Sequence, residues 1–286
     1  MKFHHYLIAI IYPFKRLILF FKKFLFNVEP NELRVLLYHD IPQEKFNKFY
    51  QQLIILKKSW NFISPDEFSK IMDKKKKLKG RNLLLTFDDG YISNSLVAKN
   101  ILDPLNIKAI FFVVLDFINI KNKRKAKEYV ASNIYPSLKN EDVPNTYYNM
   151  NWTNLKELVN NGHTIGAHTK SHIRLSDIKN HNKLYDEIVM STDIIEKKLN
   201  ISIKYFAFPF GNKLSFSKDA LLIAKKRFDF IFSGLRGDNN NTSKNYVLFR
   251  DSINIDFSKF LIGSFLEGNS DFYYKKSKYD MDRWII

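Results

Sequence analysis

Two adjacent carboxylates in the sequence have the chemistry and the position of candidate metal-site residues. Asp88 and Asp89 follow the apolar run Leu83–Phe87 and precede Gly90. Like charges side by side at the end of a buried segment disfavour each other's ionisation, and a nearby cation would relieve that cost. A structural alternative stays open, in which one Asp caps a helix and the other belongs to a turn.

A histidine pair supplies the other half of the hypothesis. His168 and His172 lie four residues apart in "HTKSH", a spacing that puts both imidazoles on one side of a helical turn, where they can share a metal. With Asp89 they would form a three-ligand site with an open position, and Asp88 could act as general base on a water there. The alternative is a surface pair on a polar loop. His163 is interpreted as a structural histidine.

The composition limits which residue types could bind a metal and which classes of partner are expected. The chain of 286 residues has no cysteine, so disulfides and thiolate ligands are excluded and any metal depends on His, Asp and Glu. The formal net charge is +17, mostly from lysine, which suits an anionic membrane surface, an acidic glycan or nucleic acid. Coding bias explains the excess equally well, since Lys, Asn and Ile are all abundant. Because the lysines are scattered and arginines are few, we expect no nucleic-acid partner.

Buried strands alternate with amphipathic helices from residue 31 onward, which predicts a parallel α/β architecture. In such folds, reactive side chains gather at the carboxyl ends of the strands. Four predicted strand ends carry polar or turn residues: Tyr38-His39-Asp40, Asp88-Asp89-Gly90, His168–His172 and Pro209-Phe210-Gly211. The sequence therefore predicts that these side chains meet at one mouth of the fold.

We expect the chain to divide into three segments. Residues 1–30 read as a basic amphipathic helix, residues 31–265 as the main α/β domain with an insertion at about 121–151, and residues 266–286 as a tail. Basic pairs seven residues apart interrupt the apolar stretches at the N-terminus, no run reaches the ~18 residues of a spanning helix, and no A-x-A site follows. This pattern favours peripheral membrane contact through residues 1–27, on an undetermined side of the cell envelope. An uncleaved signal anchor and a cap packed on the domain are the alternatives.

Several motifs together resemble a known family. "TFDDG" and, further along, "HTKSH" resemble the paired signatures of the polysaccharide deacetylases, carbohydrate esterase family 4 (the NodB-homology domain). "LLYHDI", "AIFFVV", "WTNLKELVNNGHTIGAHTKSH" and "YFAFPFG" resemble other segments of that family in the same order. The resemblance covers roughly Arg34 to Ile255, and the order and spacing of the motifs make it specific.

The resemblance implies an irregular (β/α)-type barrel, often with seven strands, that hydrolyses acetyl groups from N-acetylated sugars. Asp88 matches the general base of the family. Asp89, His168 and His172 match its metal ligands, which usually hold zinc. A backbone N–H near Phe210 would help to steady the oxyanion.

Three further residues complete the predicted site. Gly211 follows Phe210 in "FPFG", and Tyr38 precedes His39 in "LLYHDI". We place Phe210, Gly211 and Tyr38 at the substrate and oxyanion side of the site. For the two aromatic residues, packing alone is the alternative.

Two departures from the family pattern concern charge and proton transfer. Ala207 stands where many members carry an arginine, which resembles a bacterial exopolysaccharide deacetylase branch with the pattern FA[YF]P[YF]G. No histidine follows His181, so the usual general acid is absent. We hypothesise that His39 replaces the acid and that Arg250 supplies charge support from another strand. The alternative for His39 is a packed histidine that only supports Asp88 by hydrogen bonding. The alternative for Arg250 is a surface salt bridge.

These patterns predict a metal-dependent hydrolase, with Zn²⁺ the expected ion, that deacetylates an N-acetylated cell-surface or exported polysaccharide. The expected partner is a glycan containing N-acetylhexosamine. A catalytically impaired relative that binds glycan and an O-deacetylase of a surface glycan remain as alternatives.

Overall fold

The computed structural model describes residues 30–240 and 247–284, together with residues 10, 12–15, 17, 18, 21 and 25. Within these residues, eight strands form one parallel sheet with the order β7-β6-β5-β4-β3-β1-β8, and β2 pairs with β3 beside this path. The strands are β1 (Glu32–Tyr38), β2 (Asn61–Phe62), β3 (Arg81–Phe87), β4 (Ala109–Val113), β5 (Thr164–Ala167), β6 (Tyr205–Ala207), β7 (Phe230–Phe232) and β8 (Asp251–Ser252).

Helices connect the strands and cover the outside of the sheet, as parallel pairing requires. In the described residues they are Phe46–Lys57, Pro65–Met72, Ile92–Val97, Leu115–Ile118, Lys123–Tyr129, Trp152–Asn160, His181–Tyr185, Ser191–Leu199, Lys218–Arg227, Lys259–Leu266 and Lys275–Asp282. Side chains of Ser64, Asn151 and Ser217 accept hydrogen bonds from backbone N–H groups of the first turn and fix where their helices begin.

One segment joins the two ends of the sheet. The N–H of Ser233 donates to the carbonyl of Leu248, and the N–H of Leu248 donates to Ile231, so this segment lies against β7. Three residues further on, β8 pairs with β1. The path of seven strands therefore curls into a ring, and the predicted irregular (β/α)7-type barrel is confirmed.

Alternation along the strands divides the core into two layers. In β3, Leu83, Leu85 and Phe87 pack outward with the helices, whereas Leu84 belongs to the cluster inside the barrel. Phe68 of helix Pro65–Met72 closes the amino end of that interior and contacts the rings of two β7 phenylalanines. Because apolar groups fill the amino end, the polar residues that follow the strands are left to form the opposite mouth.

Most of the predicted N-terminal helix, residues 1–30, lies outside the described residues. The described positions from 10 to 25 are helical. Tyr12 packs edge-on against Phe260, with ring centroids 6.4 Å apart, and the ammonium of Lys15 donates to the carbonyl of Glu267 and, at 3.2 Å, to Asn269. No helix among the described residues has both the length and the apolar character needed to cross a membrane. The predicted division into three segments stays a prediction.

Candidate active site

A cavity of about 420 Å³ opens at the carboxyl ends of the strands. It brings together all but one of the residues that the sequence assigned to the site. Those that line it are His39, Asp88, Asp89, His168, His172, Phe210, Gly211 and Arg250. Strand alternation explains their direction: Asp88 continues the inward-facing series of Leu84 and Thr86, and His39 continues that of Val35 and Leu37.

Asp89, His168 and His172 converge on one point. Each offers one ligand atom, and the three atoms lie within 4.8 Å of one another. The Nε2 atom of His172 is 3.3 Å from Oδ1 of Asp89, and that of His168 is 3.6 Å away. All three side chains are buried. Two imidazoles and one carboxylate at these separations can hold a divalent cation and leave a coordination position open.

Backbone carbonyls aim both imidazoles at this point. Nδ1 of His168 lies 2.8 Å from the carbonyl oxygen of Ala207, and Nδ1 of His172 lies 3.0 Å from that of Asn133. With Nδ1 protonated and donating, Nε2 is the atom left to bind a metal. Such outer hydrogen bonds fix the tautomer and the orientation of ligand histidines.

The electrostatics of the trio suit a cation. Burial raises the pKa of Asp89, but the adjacent imidazole of His172, together with those of His39 and His168, outweighs burial and lowers the pKa to about 2. Burial also lowers the pKa of His168 to about 4, whereas for His172 the Asp89 carboxylate outweighs burial and raises the pKa. By hydrogen-bond geometry, neither carboxylate oxygen of Asp89 has a donor partner. A buried anion with unsatisfied oxygens next to two oriented imidazoles fits a bound metal.

Asp88 makes a different contact from its neighbour. Both of its carboxylate oxygens accept hydrogen bonds from Arg250, with Nη1 at 2.6 Å and Nη2 at 2.8 Å. Nε of Arg250 donates to the carbonyl of Ser233 at 2.8 Å, and its guanidinium lies over the ring of Phe112. Arg250 and Asp88 are both buried, so this is a bidentate ion pair between two buried side chains. The two adjacent carboxylates thus have separate partners.

Tyr38 is the predicted site residue that does not line the cavity, and its placement there was wrong. It is buried on the outer side of β1, where its hydroxyl donates to Gln52 at 2.7 Å. Its ring packs against Phe49 and Phe87. The physical reason is strand alternation, which sends Tyr38 to the face opposite His39.

Backbone strain concentrates around the cavity. Asp89, Thr169, His172 and Phe210 all have positive φ, from 59° to 75°, which non-glycine residues rarely adopt. Gly211 also has positive φ, and a Cβ there would lie 2.4 Å from the N atom of Gly234. Strained backbone of this kind gathers at functional sites, where the surrounding structure holds it.

Two supporting residues were missed from the sequence. Glu187 is buried and accepts hydrogen bonds from the N–H groups of Lys170 and Ser171 and from the Ser171 hydroxyl, so it anchors the "HTKSH" loop. Asn133, in the insertion, donates to the carbonyl of Ser171 as well as accepting from His172. The signal for Glu187 was present, since it is an acidic residue on the buried stripe of an amphipathic helix. Asn133 acts on His172 through a backbone carbonyl, which leaves no trace in a sequence.

The family model for polysaccharide deacetylases matches residues 75–227, more than half of the chain. The chain belongs to the polysaccharide deacetylase family. It is therefore a hydrolase acting on carbon–nitrogen bonds other than peptide bonds, as the sequence predicted, and the trio of Asp89, His168 and His172 is positioned to bind a metal. No curated protein matches the sequence significantly.

Solved structures of deacetylases share the fold. The Streptococcus pyogenes deacetylase PplD, in complex with acetate, matches with a TM-score of 0.64 at 21% identity, over 82% of this chain and 99% of that one. IcaB from Ammonifex degensii matches with a TM-score of 0.64 at 21% identity, over 84% and 98%. A de-N-acetylase from Aggregatibacter actinomycetemcomitans matches with a TM-score of 0.63 at 18% identity, over 82% and 99%.

Proposed function

We propose that this polysaccharide deacetylase is a metal-dependent N-deacetylase of a cell-surface or exported polysaccharide that contains N-acetylhexosamine. The observation that carries the proposal is that the two adjacent carboxylates have different partners. Asp89 faces two oriented imidazoles, while Asp88 is held by Arg250 in the same cavity. A hydrolytic site needs both functions side by side, one to hold a cation and one to move a proton.

Asp89, His168 and His172 are the residues that would hold the metal. Two nitrogens and one carboxylate oxygen, with no thiolate in the chain, suit Zn²⁺ among the common cations. When bound, the cation supplies Lewis acidity and activates water at neutral pH. Our identification of zinc rests on this donor set.

The remaining steps belong to the protein's own side chains. Asp88 accepts the proton of the attacking water, and Arg250 keeps both of its oxygens fixed. The cavity wall at Phe210 and Gly211 positions the acetyl group and helps to stabilise its oxygen as charge develops there. His39, half-buried in the same wall, donates a proton to the departing nitrogen.

The absence of arginine before the "PFG" motif supports assignment to the exopolysaccharide-acting branch. Ala207 leaves no side chain there to hold Asp88, and Arg250 makes that contact from the segment that closes the barrel. The change of position keeps the charge, so the missing arginine no longer argues for an impaired enzyme, and the missing late histidine is the argument that remains.

Acetate release tests this function. The purified chain is assayed with N-acetylglucosamine oligomers and with native surface glycan, before and after chelation and after addition of Zn²⁺. We expect turnover that chelation abolishes and zinc restores. Asp88→Asn should retain the metal and lose at least about a hundredfold in rate, because the general base is gone while the ligands stay. Stoichiometric metal without acetate release from any N-acetylated substrate would favour glycan binding, and release only from O-acetylated glycan would favour the esterase.

We further propose that the N-terminal segment holds the enzyme on an anionic membrane surface. Six exposed apolar side chains support this: Ile10, Phe14, Leu17, Ile18, Phe21 and Leu25. Their spacing puts them on one helical stripe about 100° wide. Tyr12 and Lys15 lie on another face and contact the domain, so a cap on the domain and an interfacial helix are compatible.

Vesicle sedimentation checks the membrane proposal. Phosphatidylcholine vesicles with phosphatidylglycerol should bind the chain, and Phe14→Ser/Phe21→Ser should release it. The double variant Leu214→Ser/Leu222→Ser, which removes exposed apolar side chains elsewhere, is the control and should bind as the wild type does. Equal binding by both variants would contradict the proposal.

A further inference from the structure

A second cavity, of about 590 Å³, shares no lining residue with the active site. It lies between residues 118–123, residues 148–152 and Lys198. Its volume is that of a pocket for a small molecule or a sugar unit. The proposed reaction makes no use of it.

The charge of this cavity is one-sided. Lys121, Lys123 and Lys198 line it, and no carboxylate does. Among the residues that the structure describes, none of these three ammonium groups has a carboxylate within ion-pair distance. Lys123 lies 4.4 Å from the ring centre of Tyr148, and Lys198 lies 4.3 Å from that of Trp152, so the rings hold the cations at the wall. Three uncompensated cations around one space favour an anionic ligand.

The amides of the wall add a pattern of donors. Asn119 accepts a hydrogen bond from the indole N–H of Trp152, and Asn151 accepts one from the N–H of Asn154. Each of these two carboxamides uses its oxygen for a contact within the protein, and both residues line the cavity. Asn149 does the reverse, since its NH₂ donates to the carbonyls of Ile120 and Met150. The wall therefore offers several donors and an acceptor, which suits a ligand with an anionic group and hydroxyls.

The cavity is joined to the loop of the catalytic carboxylates. The N–H of Ile92 donates to the carbonyl of Tyr148, and the N–H of Met150 donates to that of Gly90, each at 2.8 Å. Gly90 directly follows Asp89, so the second cavity is built on the backbone that carries the metal ligand. A polysaccharide is long enough to occupy two separate sites on one protein.

We propose that this cavity binds an acidic sugar unit of the polysaccharide, carrying a carboxylate or a phosphate. The ammonium groups contact the anion, and the amides contact the hydroxyls. The proposal rests on the proposed function in one respect, that the bound glycan is also the substrate. It makes the substrate an acidic polysaccharide and gives the basic surface of the chain a specific role.

Calorimetric titration of the full-length chain tests the site directly. The probes are a hyaluronan octasaccharide for the carboxylate, glucose 6-phosphate for the phosphate, and neutral maltopentaose, which has no acetyl group, and inorganic phosphate for comparison. We expect at least one of the two acidic sugars to bind more than tenfold tighter than both comparison probes. Whichever acidic sugar binds identifies the anion. Binding of maltopentaose or inorganic phosphate as tight as that of both acidic sugars would overturn the proposal.

A charge-matched pair of variants localises the binding. Lys123→Gln/Lys198→Gln removes two cavity lysines, and Lys125→Gln/Lys197→Gln removes two exposed lysines of the same helices that do not line it. The cavity variant should weaken binding of the acidic sugar at least tenfold, and the control should change it less than twofold. Equal losses in both would show a diffuse charge effect and overturn the proposal.

The outcome is separable from that of the proposed function. If no acetate is released from any substrate but binding depends on the cavity lysines, the deacetylase proposal fails and this one stands. If acetate is released and binding ignores those lysines, this proposal alone fails. Quenching of Trp152 fluorescence on binding, absent in Trp152→Phe, provides a second local readout.

Discussion

The contact with Arg250 distinguishes Asp88 from the adjacent Asp89. Arg250 holds both oxygens of Asp88 and has no contact of this kind with Asp89, whose oxygens face two imidazoles. A bidentate contact fixes the rotation of a carboxylate. At the residue scale, this contact holds Asp88 in one orientation, as the proposed role of general base requires.

Arg250→Lys should therefore lower kcat by about tenfold or more, because a single ammonium cannot hold both oxygens of Asp88. Metal content should stay at the wild-type level, since no ligand is changed. Arg236→Lys is the control, as Arg236 pairs with Asp251 and not with Asp88. Acetate release and metal analysis check the prediction, and an unchanged kcat in Arg250→Lys would contradict it.

The variant His39→Ala tests whether His39 is a general acid or a histidine that only packs. Loss of the acid should lower kcat for N-acetylated sugars by about 10²–10⁴-fold, because the departing amine needs a proton. Hydrolysis of p-nitrophenyl acetate should fall far less, since p-nitrophenolate leaves without one. His181→Ala, an exposed histidine outside the cavity, should match the wild type. Equal losses on both substrates would mean that His39 only supports the structure.

At the scale of elements, the loop that carries the candidate metal ligands His168 and His172 is held by residues outside it. The "HTKSH" loop is held by Glu187, from the turn of π-helix Asp186–Met190, and by Asn133, from the insertion. Both contacts reach the loop from elements that contribute no ligand. The positive φ values of Thr169 and His172 show that the loop backbone needs such support.

Glu187→Ala should weaken metal affinity by about 10–100-fold, because two backbone N–H groups and the Ser171 hydroxyl lose their acceptor. The neighbouring Asp186→Ala is the matched control, since the half-buried Asp186 contacts this loop through the Lys170 side chain. Competition for the metal with a fluorescent chelator gives the affinities. The prediction fails if the two variants release the metal at the same chelator concentration.

The parts of the fold and of the site that depend on side-chain identity could be predicted from the sequence, whereas contacts made by backbone atoms could not. The parallel barrel and the convergence of Asp89, His168 and His172 followed from strand-end motifs, because parallel strands bring their carboxyl ends together. The direction of Tyr38 was also predictable, because strand alternation puts Tyr38 on the same outer face of β1 as Leu36. Carbonyl contacts such as that from Asn133 depend on loop geometry, which one sequence does not determine.

At the scale of the whole molecule, His163 links stability to pH. Its Nδ1 accepts from the N–H of Ala109, and its Nε2 lies 3.2 Å from Asp103, so the neutral imidazole fits both partners. Burial lowers the pKa of His163 to about 4, and Asp103 only partly offsets it. The folded protein therefore resists a proton that the unfolded chain accepts near pH 6.5.

Stability from His163 should be complete above about pH 6.5 and should fall as the pH is lowered toward 4, by up to about 3 kcal/mol in total. His163→Asn should lose this part of the pH dependence, whereas His181→Asn should keep it. Urea unfolding at pH 7.0 and pH 4.5, with metal content held equal, measures the difference. Identical pH slopes for wild type and His163→Asn would contradict the role of this histidine.

The ion pair of Asp88 and Arg250 also limits where the chain of this enzyme can be cut. The part recognisable as the family ends at residue 227, and the arginine lies beyond it, in the segment that closes the barrel. A gene fusion or a natural truncation at that border would keep Asp89, His168 and His172 and discard the partner of Asp88. Such a descendant would contain the recognisable motifs of a deacetylase and yet lack the contact that orients Asp88. In this lineage, the inheritance of activity should be judged from the residues after the recognised domain.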